Sequence, residues 1–163
     1  MTSTTAPVVR SSFSLKLLVG VIVAGLVMAM WEMIMEAILP GGNGFWSPVV
    51  YIGATIVRDL QNVTVPVPFH LLGVMAGMMG HIMNSIILGL IFALLIAPRT
   101  RSLGGQVVTG LIYGVVVYLV MWLVVVPLLD PVMRHLNAVV FLLGHMLWGV
   151  TLGVATHWAT AKA

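Results

Sequence analysis

Cysteine is absent from the chain, which excludes disulfides, thiolate metal sites and thiol nucleophiles. Charge is nearly absent too. Seven Lys and Arg and four Asp and Glu make up only 7% of 163 residues, whereas an ordinary soluble domain is about 25% charged. So few charges cannot cover the surface of a water-soluble protein. The basic residues are spread out rather than gathered into a stripe, which excludes a nucleic-acid footprint. No phosphate loop, nucleophile elbow, dinucleotide fingerprint or H-E-x-x-H motif is present. What fills the chain is apolar: 61% of residues are hydrophobic, and twelve are methionine, a common filler of apolar interiors. Such a chain belongs in lipid.

Four apolar runs emerge, at 17–39, 69–97, 107–129 and 136–159. Each reaches the roughly 20 residues needed to cross a hydrocarbon core. The first is too long for a signal peptide, lacks a small-x-small cleavage pattern after it, and reads as a retained anchor. Arg10, Lys16, Arg99, Arg101 and Lys162 fall on one side and Arg58 and Arg134 on the other. This asymmetry predicts both termini in the cytoplasm of a bacterial-type inner membrane. Arg58 and Asp59, and Asp130 and Arg134, read as surface pairs at the outer interface. In the longest loop, Ser47 and Pro48 suit a helix start, and residues 49, 50, 52, 56, 57 and 60 would share one apolar face. That predicts a short helix at about 48–60 lying on the outer surface.

"GHIMNSIILG" begins at Gly80 and "GHMLWGVTLG" at Gly144. Spans one and three also echo each other, each with paired small residues, then Trp31 or Trp122, then a proline. The chain reads as two tandem helix-pair repeats of like orientation. Small residues recur every four positions: Gly73, Gly77 and Gly89 in the second span, Gly110 and Gly114 in the third, Gly149 and Gly153 in the fourth. In lipid, close backbone approach holds helices together, so these stripes predict a compact bundle. Stripes unused inside it could join two copies or a larger membrane complex. The expected fold is therefore all-α: a four-transmembrane-helix bundle with a short interfacial helix.

Against this background the polar residues of the spans stand out. A central charge in a membrane helix costs roughly 2.5–3.5 kcal/mol on insertion scales. At about 1.5 Å per residue, Glu32, His81 and His145 lie roughly 21–24 Å from the cytoplasmic ends of their helices. They are expected to share one layer with Asn84 and Ser85, while Glu36 reaches the outer headgroups. Four readings of this layer stand. One is a hydrogen-bonded His–Glu pair that fixes helix register. Another is a proton or ion path, for which Glu and His are the usual relay groups. A third is haem b ligated by His81 and His145, for which few basic residues lie nearby to meet propionates. The last is a transition metal on His81, His145 and Glu32, zinc or non-haem iron by ligand type. The methionines would suit copper(I), but they point to several faces and read as core.

"HIMNS" at 81–85, the glycine-rich third span, "PLLDP" at 127–131 and "GHMLW" at 144–148 resemble the YagU-like bacterial inner-membrane proteins. The resemblance covers 81–148 and implies an inner-membrane location without naming a substrate. The reading favoured by the residues is a non-catalytic accessory or transport, ion-handling protein with a buried polar cluster. The alternative is a haem b- or metal-binding redox subunit.

Overall fold

A computed structural model describes residues 14–160. Arg10 and Lys162, which enter the charge count above, lie outside this range. The described chain is helical, with no strand among the described residues. Four helices are long and apolar enough to cross a membrane: α1 (Leu15–Ile38), α3 (Leu71–Arg99), α4 (Leu103–Leu129) and α5 (Ala138–Thr160). The short α2 (Ser47–Gly53) lies between the first two.

Each long helix starts where a polar side chain can take an orphan backbone N–H. The Ser14 hydroxyl accepts from Leu17, the His70 ring from Gly73, the Ser102 hydroxyl from Gly105 and the Asn137 amide oxygen from Val139. Two helices contain one wide π-type turn each, at Phe92–Ile96 in α3 and Met121–Val125 in α4. In both, a proline (Pro98, Pro127) stands two residues beyond the turn. Proline has no N–H to return to the carbonyl four residues back, so regular α geometry cannot continue into it undisturbed.

Helix α5 packs along both α4 and α1. At the α4–α5 seam a Cβ on Gly110 would strike the Gly149 carbonyl, and one on Gly114 the His145 carbonyl. Backbone therefore rests on backbone, as the glycine stripes predict. Gly153 meets Gln106 in the same seam, and Gly89 of α3 lies against Val21 of α1. Gly73 and Gly77 do not serve a contact between long helices. A Cβ on Gly77 would strike the carbonyl of Val49, and Gly53 lies against the carbonyl of Gly73, so both glycines seat α2.

The short helix differs from expectation in length and burial. It stops at Gly53, and a separate 3-10 turn covers Arg58–Asn62. Val49, Val50 and Tyr51 are all buried, so consecutive residues rather than one face are covered. The physical reason is that the glycine surface of α3 lets the short helix approach closely on one side, while α1 and the 3-10 turns at Arg58–Asn62 and Pro131–His135 cover its other sides. With α2 against α3, the main bodies of α3 and α4 stay apart; they come together toward the Leu88–Arg99 end of α3.

Candidate functional site

The separation of α3 from α4 leaves a cavity of about 410 Å³. Its back wall is Met28 and Glu32 of α1 with Phe141, His145 and Trp148 of α5. One flank is α3 from Ala76 to Leu88, and the other is α4 from Val117 to Leu129. Toward the α2 side it is roofed by Ile52, Thr55, Ile56 and Asp130. At its other end the flanks are tied together: the Tyr113 hydroxyl donates to the Leu88 carbonyl at 2.9 Å, and the Tyr113 ring lies 5.4 Å from that of Phe92. Tied at one end and walled behind, the cavity is a slot between α3 and α4, and its lining residues Thr55, Ile56 and Leu129 are exposed at the α2 end. Met83 and Asn84 stand exposed at its edge.

Glu32, His81, Asn84, Ser85 and His145 all line this slot. They do not hydrogen-bond to one another in the pattern expected of a His–Glu pair. The His81 Nε2 is 2.9 Å from the Gly25 carbonyl, and the His145 Nδ1 is 2.9 Å from the Phe141 carbonyl. Ser85 is buried, accepts from the Trp148 indole at 2.8 Å and lies 3.4 Å from the Val21 carbonyl. Glu32 is only 2% exposed, lies against Gly144, and its Oε1 has no partner. Asn84 is not enclosed in the polar layer but sits at its rim.

The three-ligand metal set of Glu32, His81 and His145 is not assembled. Among the described residues no three His, Asp or Glu side chains are grouped so as to hold a metal ion. Each imidazole is instead directed by its own backbone carbonyl. A haem ligand usually anchors one ring nitrogen on a carbonyl and offers the other. Each ring has one nitrogen engaged, leaving Nε2 of His145 and Nδ1 of His81, but among the described residues no Lys or Arg lines the slot to meet propionates, so the lining does not fit haem.

Aromatic rings enclose His145. The centroids of Phe141 and Tyr118 lie 4.4 and 5.9 Å from its ring, and Trp122 stacks on Tyr118 at 6.2 Å. Arg134 lies over the Trp122 ring at 4.8 Å rather than beside Asp130.

Two carboxylates differ from expectation. Glu36 does not reach for headgroups. It is 1% exposed and accepts from the backbone and side-chain nitrogens of Asn43 and from the Asn137 N–H at 2.7 Å. The loop after α1 folds back under it, and the start of α5 supplies the third donor. Asp130 is not in a surface pair. It is buried and accepts from Gln61 at 2.6 Å and Thr55 at 3.1 Å, which ties the turn after α2 to the end of α4. Only one sequence signal marked Asp130, a lone acid before a proline directly after an apolar run. Trp148 could have been placed with His145, since residues three apart share a helix face.

Burial pushes the Asp130 carboxyl above its ordinary value of 3.8, against the pull of Gln61, Thr55 and Arg58. An acid raised in the folded state binds its proton more tightly there than in the unfolded chain. Its contribution to stability is therefore greatest below 3.8 and falls as pH rises from there through the raised value. Unfolding of detergent-solubilised protein across this window should show a downward slope that Asp130→Asn flattens. Parallel slopes for the two proteins would contradict this assignment.

Comparison with known proteins gave no matching family model, no matching curated protein and no matching solved structure.

Proposed function

We propose that the chain is a non-catalytic integral membrane protein that handles a small ligand or ion, as a transport-type or accessory protein. The observation that carries this reading is the slot itself, whose back wall holds the buried carboxyl of Glu32 with Oε1 unpartnered against Gly144. A purely structural carboxylate in hydrocarbon would be bonded on both oxygens, as Glu36 is. A volume of about 410 Å³ falls in the range of small-molecule sites. The matched segments around His81 and His145 support an origin by tandem duplication. The positive-charge asymmetry supports cytoplasmic termini in an inner membrane, and the segments at 81–85, 127–131 and 144–148 support kinship with YagU-like proteins.

The lack of native cysteine makes the test direct. In vesicles, Asn84→Cys on the rim of the slot should react with N-ethylmaleimide at least tenfold faster than Met79→Cys, which is exposed on α3 outside the slot lining. Thiolate chemistry needs a polar, reachable environment, which the slot offers and acyl chains do not. Equal, slow labelling at both positions would refute a ligand-accessible site.

A further inference from the structure

We infer that the slot takes an amphipathic ammonium: a positively charged amine on an apolar body, entering sideways from the bilayer between α3 and α4. This deepens the ligand-handling reading above and rests on it.

The sign of the ligand follows from the lining. Two carboxylates, Glu32 and Asp130, line the slot, and among the described residues no Lys or Arg does. Asp130 is satisfied by Gln61 and Thr55, so its role is at the roof. Glu32 retains a free oxygen while being almost wholly enclosed. The hydrogen-bonding character points the same way. A backbone carbonyl only accepts, so the ring nitrogen facing it carries the proton in each histidine. In the neutral rings the remaining nitrogens, Nδ1 of His81 and Nε2 of His145, are acceptors. The Ser85 hydroxyl already accepts from Trp148. Apart from the Asn84 amide at the rim, the lining around Glu32 thus offers more acceptors than donors, which suits an N–H-bearing cation. Phe141 and Trp148 add aromatic surface on the same wall, and ring faces attract ammonium groups.

The apolar body follows from the route. The Tyr113–Leu88 tie closes one end, and the lining residues Met83 and Asn84 of α3 are exposed along the flank, which gives a way in from the side of the bundle. A ligand arriving there must first dissolve in the acyl region. Its apolar part then lies against Met28, Met83, Val117 and Met121 while its ammonium reaches Glu32.

Monodansylcadaverine is a suitable probe, because its acetylated form keeps the body and loses the charge. Energy transfer from tryptophan to dansyl is measured on purified protein in detergent, where partition into micelles is a common background. Saturable transfer is expected for the free amine, with the acetylated form at least tenfold weaker. Glu32→Gln should weaken the amine at least tenfold. Ala76→Phe, which fills the slot without touching Glu32, should weaken both forms. Displacement by phosphatidylethanolamine would assign the ammonium to a lipid headgroup, and displacement by phenethylamine alone to a free amine; either supports the assignment. Equal binding of the amine and its acetylated form, or an unchanged affinity in Glu32→Gln, would overturn it. If Asn84→Cys labels rapidly in the same preparation, only the ammonium assignment falls; if it does not, the ligand-handling reading falls as well.

Discussion

Glu36→Ala is expected to destabilise the folded protein by about 3 kcal/mol or more, while Glu32→Gln, one helical turn away, changes stability by less than about 1 kcal/mol. The two carboxylates have similar burial and opposite surroundings. Glu36 accepts three hydrogen bonds, two from Asn43 and one from the Asn137 backbone. The last of these lies at the beginning of α5, where orphan N–H groups and the helix dipole favour an anion. Truncation would strand the buried N–H groups of Asn43 and Asn137, each costing about 1–3 kcal/mol. It would also release the loop that turns from α1 toward α2, since Asn43 in turn bonds the His135 carbonyl. Glu32 has an oxygen with nothing to lose. Reversible unfolding in mixed micelles, followed by far-ultraviolet circular dichroism, checks both variants. Similar losses for the two would show that the hydrogen-bond assignments do not govern stability.

The second large effect is expected at Gly149. A Cβ there would strike the carbonyl of Gly110, an atom of rigid helical backbone. Gly149→Val must push α4 and α5 apart along their whole seam, at a cost of about 3 kcal/mol. Gly80→Ala provides the contrast. A Cβ at Gly80 would find only the Ile52 side chain at 3.5 Å, an ordinary contact. That substitution should be neutral or gain up to about 1 kcal/mol from helix propensity. The same unfolding measurement separates them, and a tolerated Gly149→Val would mean that backbone contact does not hold this pair together.

The long helices were legible because hydrocarbon thickness sets a minimum apolar length, whereas their capping residues were not read from the sequence. The Gly110–Gly149 seam was legible because spacing four on a helix is geometric. Other features depended on which chain segment folds back on which, and that is not periodic. Gly73 and Gly77 carried the same signal as Gly110 and Gly114, yet they seat α2 rather than a membrane-spanning neighbour. Depth counting placed Glu32, His81 and His145 at one level. It could not foresee that backbone carbonyls of Gly25 and Phe141 would take the imidazoles before the carboxylate did. Glu36 and Asp130 were misplaced for a related reason. Their partners Asn43, Asn137, Gln61 and Thr55 lie in connecting segments, where no spacing rule says which polar groups converge.

The widened turn at Phe92–Ile96 lies just beyond the Leu88 end of the α3 flank, and the one at Met121–Val125 falls within the α4 flank. A helix bends most easily where its regular ladder is already broken. Bending is therefore favoured beyond the end of the α3 flank and midway along the α4 flank. A bend at either turn would alter the width of the gap while leaving the backbone contacts of Gly110 and Gly114 with α5 in place.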